Sequence, residues 1–85
     1  MILTGKALED FKYSHNMSSF NDYSEVLQYA LIIEWLDSVG IYIDAYYCDG
    51  FFEVYVGEEW HGTCKNRKEA YKEGILFANE IYNKL

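Results

Sequence analysis

The sequence predicts an α+β domain in the order α-α-β-β-β-α, with helices packed on one face of a three-stranded antiparallel sheet. Three observations lead there. Ile41 to Val56 alternates aromatic and β-branched residues on either side of Asp49-Gly50, a dipeptide that supplies the positive φ angles of a two-residue hairpin turn. Trp60 to Cys64, after Gly57-Glu58-Glu59, reads as a third short strand. Two segments before these strands and one after them repeat their apolar residues at helical spacing. The 85 residues make one domain, 1–85, because a chain this short has no room for a linker and a second core.

Thr4 is placed to cap a first helix over about 5–14, with Leu3 and Leu8 as a hydrophobic staple and Ala7, Leu8 and Phe11 facing inward. Ser14 to Asn21 is polar apart from Met17 and Phe20 and reads as a loop. A second helix runs from about Asp22 or Ser24 to Ser38. Asp22 with Glu25 fits a capping box, and Gly40 is placed to end the helix in the left-handed conformation. Its apolar residues form a broad arc (Val26, Tyr29, Ile32, Ile33, Leu36, Val39) and, opposite, a stripe of Leu27, Leu31 and Trp35. The arc is expected against the sheet. The stripe is expected against the first helix or another chain.

With Asp49 and Gly50 as the loop, the hairpin pairs Cys48 with Phe51, Tyr47 with Phe52, Ala45 with Val54 and Ile43 with Val56. One face then carries Ile41, Ile43, Ala45, Tyr47, Phe52, Val54 and Val56 and is the core face. The other carries Tyr42, Asp44, Tyr46, Cys48, Phe51, Glu53 and Tyr55, a mixture of rings and carboxylates. The third strand has two registers. A three-residue loop turns Trp60 and Cys64 inward, and a two-residue loop turns His61 and Thr63 inward. The first is preferred, since burying Trp stabilises and burying an unpaired His costs free energy. The last helix begins at Asn66-Arg67-Lys68-Glu69, an N-cap with a glutamate at N3. Ala70, Gly74 and Ala78 give it a smooth strip for close approach to the sheet, with Phe77, Ile81 and Leu85 adding inward bulk and Tyr71 and Tyr82 flanking.

Composition excludes several classes. At 51% hydrophobic and 19% aromatic the chain can bury a core despite a net charge of −7, which argues against wholesale disorder. Two cysteines, Cys48 and Cys64, are too few for a disulfide scaffold and are expected reduced. Met1 opens no basic region followed by an apolar run, so no signal peptide is expected. The longest apolar run, Tyr29 to Ile33, is far short of the ~20 residues of a membrane span, and a cytoplasmic protein with no membrane contact is expected. The charge is uneven: residues 1–64 hold two basic and eleven acidic side chains, while Lys65, Arg67, Lys68 and Lys72 cluster near the end. Such a negative field repels phosphates and favours basic partners.

No residue set names a reaction. His61 and Cys64 have an H-x-x-C spacing, but strand alternation sends them to opposite faces, so no metal or other cofactor is expected. Asp44 and Glu53 lie diagonally on one sheet face, near the separation of acid-base pairs. A three-stranded sheet offers them a flat surface rather than a cleft, so no enzyme is expected.

The element order, with Asn66-Arg67-Lys68-Glu69-Ala70 opening the last helix, resembles the double-stranded RNA-binding domain. That family has a serine, two lysines and a small residue at this place. The resemblance implies phosphate contacts from Lys65, Arg67, Lys68 and Lys72 as an alternative function. It departs from the family in the acids of the preceding helix (Asp22, Glu25, Glu34, Asp37) and in the negative net charge. A second resemblance covers more of the chain. Leu3-Thr4-Gly5-Lys6-Ala7 with Asp10-Phe11, Leu27-Gln28-Tyr29, and Trp35 through Ile43 look like small proteins of gut Bacteroidales, their phages and prophages. The endings Arg67-Lys68-Glu69-Ala70 and Ala78 through Lys84 are similar to endings in the same proteins. This implies an accessory protein of a phage or mobile element, acting in the host cytoplasm. The expected function is non-enzymatic protein binding. Tyr42, Asp44, Tyr46, Phe51, Glu53 and Tyr55 would dock on a basic surface of a partner, such as a defence or nucleic-acid-handling protein that is inhibited. A milder version makes the same face a homodimer interface.

Overall fold

The computed structural model describes all 85 residues, Met1–Leu85. Helix α1 spans Gly5–Ser14, a 3₁₀ turn covers Phe20–Asp22, and α2 spans Glu25–Ser38. Strands β1 (Ile43–Cys48), β2 (Phe51–Val56) and β3 (Glu59–Cys64) follow, and α3 spans Arg67–Asn83. The sheet is antiparallel in the order β1-β2-β3, giving the α-α-β-β-β-α architecture and the α+β class.

The hairpin has the expected register, from Ile43 opposite Val56 to Cys48 opposite Phe51. Asp49 at φ 50° and Gly50 at φ 88° make the turn, the pair of positive φ values a type I′ turn requires. The sheet's inner face is covered by α3, which lies across all three strands. Its strip of Ala70, Gly74 and Ala78 is buried, and a Cβ on Gly74 would overlap the Ile43 methyl Cγ2. Glycine is thus what lets helix and strand approach this closely.

Helix α2 departs from expectation. It packs mainly against α3 and not, as its broad arc suggested, as the layer on the sheet. Tyr29, Ile32 and Leu36 of the arc are buried, but Val26 and Val39 are exposed. Of the opposite stripe, Trp35 is buried between Phe11 of α1 (ring centroids 5.7 Å) and Tyr82 of α3 (5.1 Å), while Leu27 is exposed. The first helix therefore covers the stripe where it matters, at the indole. The "loop" before α2 also contributes to the core: Phe20 is fully buried, edge-on to Phe11 at 5.4 Å. Helix α2 starts one turn later than Asp22. Ser24 caps it, its Oγ accepting from the Leu27 amide at 3.3 Å, and it ends with the Ile41 amide donating back to the Leu36 carbonyl at 2.9 Å.

The start of α1 is capped from across the fold. The Thr4 hydroxyl accepts no bond from its own helix. Instead Asn79 of α3 reaches over: its Oδ1 accepts from the Thr4 amide at 3.0 Å and its Nδ2 donates to Thr4 Oγ1 at 2.9 Å. One turn on, Asn83 Oδ1 accepts from the Ala7 amide at 2.8 Å while its Nδ2 donates to the Thr4 carbonyl at 3.0 Å. The far end of α3 also differs from expectation, with Ile81 and Leu85 exposed and Ile75 fully buried in their place. The strip of small residues and Ile75 sets the buried side, and it turns Ile81 outward.

Tyr82 and Asp10 tie α1 to α3 a second time. The Tyr82 phenol donates to Asp10 Oδ2 at 2.5 Å, and this bond, with burial and the carboxylate's charge behind it, raises the phenol's pKa above its ordinary value. Tyr29 is raised as well, first by burial and then by its hydrogen bond to Glu25. A raised folded-state pKa means stability that is fully present below the ordinary phenol pKa and lost as pH climbs through the raised one. The protein is therefore expected to lose melting temperature above pH ~10. Tyr82→Phe should be less stable at neutral pH yet decline less steeply in that alkaline range. Parallel declines in the two proteins would show that this hydrogen bond does not govern the alkaline limb.

Candidate functional site

Strand alternation and the single layer of helices leave the outer face of the sheet bare. Every position expected there is at least partly exposed: Tyr42, Asp44, Tyr46 and Phe51 are open to solvent, and Glu53 and Tyr55 are half-buried by their neighbours. The β1–β2 pairing places Asp44 opposite Tyr55 and Tyr46 opposite Glu53. Tyr46 and Tyr55 meet edge to face across the strands, with ring centroids 5.7 Å apart. Neither Asp44 nor Glu53 forms an ion pair; the protein's lysine–carboxylate pair is Lys68–Glu25, elsewhere in the fold. The face therefore presents uncompensated negative charge among exposed rings.

Trp60 belongs to this face, which corrects the preferred register of the third strand. The turn after β2 has two residues, with Val56 opposite Glu59 and Tyr55 opposite Trp60, so the indole points outward and is 57% exposed. A bulge between Val54 and Tyr55 then shifts the pairing so that Val54 faces Gly62 and Phe52 faces Cys64. Gly62 sits at φ 124°, a conformation open to glycine, and absorbs the extra residue. Each register is thus half right: the start of β3 follows the two-residue loop and its end follows the other. His61 turns inward and stacks on Phe77 of α3 at 4.1 Å, and Cys64 lies on the same side, half-buried. Stacking on Phe77 gives the imidazole the inward packing that was assigned to Trp60. It leaves Nε2 without a hydrogen-bond partner, with the Glu59 carboxylate 3.7 Å away.

The bulge also overturns the argument that His61 and Cys64 occupy opposite faces. Even so, no group of three or more His, Cys, Asp or Glu side chains converges anywhere in the molecule. Burial, then the charges of Glu73 and Glu69, push the Cys64 thiol pKa up. Cys48 is exposed on the outer face, and both cysteines are free.

The basic run sits elsewhere, and half of its cations are engaged within the chain. Arg67 lies over the Phe52 ring, 4.9 Å from its centroid, on the helix side of the sheet. Lys68 Nζ bonds Glu25 Oε1 at 3.1 Å, and this bond is the first cause of the lowered Glu25 pKa, with Tyr29's hydrogen bond next and Lys72 adding charge. Two of the four cations therefore already answer an acid or an aromatic ring, where a phosphate-binding helix start needs them free. A concavity of about 710 Å³ opens between α2 and the start of α3. Val26, Ala30, Ile33 and Tyr71 line it, with Glu34 and Asp37 among its acids, and it includes neither Asp44 nor Glu53. The paired carboxylates thus stand on open sheet.

Fold and face together define the class: a small α+β domain with a single layer on the inner side of its sheet and an uncovered aromatic–acidic outer face. Comparison with protein-family models, curated proteins and solved structures gives no match to this chain. No helix is long and apolar enough to cross a membrane.

Proposed function

We propose that this is a non-enzymatic docking protein whose outer sheet face, carried by Tyr42, Asp44, Tyr46, Phe51, Glu53 and Tyr55 and extended by Trp60, binds a basic surface of a protein partner. The observation that carries this reading is the bare face itself. Tyr42, Tyr46, Phe51 and Trp60 are each at least half exposed on one sheet face, around two carboxylates without cations. Contiguous apolar surface of this kind marks an interaction site. Tyrosine and tryptophan supply contact area at little cost in side-chain entropy, and the carboxylates steer and orient a cationic partner. A two-fold pairing of this face with a second copy would bring Asp44 and Glu53 against carboxylates of the same sign, so charge favours a foreign partner over a homodimer.

The mobile-element setting is part of this proposal and rests on the sequence resemblance alone, that of Leu3 through Ala7 and Trp35 through Ile43 to small Bacteroidales phage and prophage proteins. The accessory protein would then act in the host cytoplasm, occupying the basic surface of a defence or nucleic-acid-handling protein and so inhibiting it. The test is comparative capture from host extract by the wild-type domain and by a Tyr46→Ser, Tyr55→Ser double variant. Two central aromatic anchors are worth about 2 kcal/mol each at an interface, so the variant should bind roughly 100-fold or more weakly while melting as a folded domain. Equal capture by both proteins would sink the proposal. Capture lost only when Lys65 and Lys72 are neutralised would move the function to the start of α3.

A further inference from the structure

The outer face holds a smaller arrangement that specifies which basic group it accepts. Because Asp44 pairs with Tyr55 and Tyr46 with Glu53, four adjacent positions alternate carboxylate and ring around a square. The rings occupy one diagonal, in edge-to-face contact at 5.7 Å and 74°. The carboxylates occupy the other, where diagonal positions across an antiparallel pair lie about 7–8 Å apart. We propose that this square is an arginine-binding site, reading the guanidinium group of a partner protein segment. The inference rests on the docking function proposed above and names the partner group that function requires.

The chemistry separates arginine from lysine. A guanidinium is planar and weakly hydrated, so it can lie on a tyrosine ring while N–H groups on its two edges each donate to a carboxylate. A guanidinium seated on the Tyr46 ring would have Asp44 as its neighbour along β1 and Glu53 as its neighbour across on β2. An ammonium is compact and strongly hydrated; it can sit near one carboxylate, but it has no flat face to stack and no second edge to present. Both carboxylates are without a cationic partner inside the molecule, and Tyr46 is 56% exposed, so the site is open to an incoming group.

The chain itself cannot fill it. Its one arginine is Arg67, which lies over Phe52 at 4.9 Å on the opposite side of the same hairpin. A second copy would have to draw that guanidinium off Phe52, so the occupant we assign is an arginine-bearing segment of another protein.

The test uses the whole protein and two nonapeptides of equal charge, one arginine-rich and one lysine-rich, titrated calorimetrically at fixed salt. The arginine peptide should bind at least tenfold more tightly. An Asp44→Asn, Glu53→Gln double variant, isosteric and folded by circular dichroism, should lose most of that preference. Equal affinity for both peptides would overturn the guanidinium assignment and leave the basic-partner reading standing. An arginine preference that survives in the double variant would place the site elsewhere and overturn it too. Binding of neither peptide would overturn the assignment together with the docking function on which it rests.

Discussion

Asn79→Ala is expected to destabilise the domain by about 2–4 kcal/mol, since it deletes two hydrogen bonds at a buried site and strands the polar groups that made them. The Thr4 amide and hydroxyl bond to Asn79, a residue 75 positions away and only 7% exposed. The entry to α1 has no side-chain cap of its own, so these bonds stand where a local cap would be. A domain of this size holds on the order of 4–13 kcal/mol in total, so the loss is a large share of it. Asn83→Ala, at a more exposed position, should cost about 1 kcal/mol by the same reasoning. Denaturant melts of both variants would check the ranking. A near-neutral Asn79→Ala would mean that the start of α1 frays without affecting the rest of the fold. Thr4→Ala in the Asn79→Ala background should then add little, because the two side chains share one bond.

The second large effect is one of sign. Replacing glycine by alanine inside a helix ordinarily stabilises by roughly 0.5–1 kcal/mol. At Gly74 it should instead destabilise by about 1–2 kcal/mol, because the new methyl would overlap Ile43 Cγ2, and overpacking a filled core costs about 1–3 kcal/mol. Ile43 is β-branched, so Cγ2 sits next to the backbone and cannot swing away as the tip of a long side chain could. Gly74→Val, with two further carbons, should lose about 3 kcal/mol or fail to fold. The decisive variant is Gly74→Ala in an Ile43→Ala background, where the obstructing methyl is gone and the substitution should become neutral or stabilising. If Gly74→Ala stabilises in the wild-type background, α3 does not lie against β1 as closely as described.

Both effects concern α3, and the docking face depends on them indirectly. The sheet has one covered side, and α3 covers it. With no second layer on its outer side, the sheet depends on α3 for its packing. A variant that loosens α3 would therefore weaken docking without touching Tyr46 or Tyr55. For this reason the binding tests compare variants on the outer face with matched melting temperatures.

The sequence by itself determined the hairpin and its two faces. Alternation has a period of two residues and Asp49-Gly50 permits one turn geometry, so the register from Ile43–Val56 to Cys48–Phe51 follows from local rules alone. The Asn66 cap, its Oδ1 accepting from the Glu69 amide at 2.9 Å, and the Ala70-Gly74-Ala78 strip were legible for the same reason: each is a pattern within a few residues. Six residues of the candidate site came with the hairpin. Only the tertiary structure decided the rest. The bulge at His61-Gly62 balances pairing in two strands against the packing of His61 on Phe77, and Gly62 is the one local signal of a break in alternation there. Trp60 joins the outer face because the turn before it has two residues, and the bulge returns the strand to the other register only beyond it. Helix α2 carries apolar residues on two sides, and which partner takes which side depends on α3, whose small-residue strip claims the sheet first. The Asn79–Thr4 and Asn83–Ala7 bonds join residues at the two ends of the chain. No periodicity or local propensity can register such a contact, because it exists only after the helices have been laid side by side.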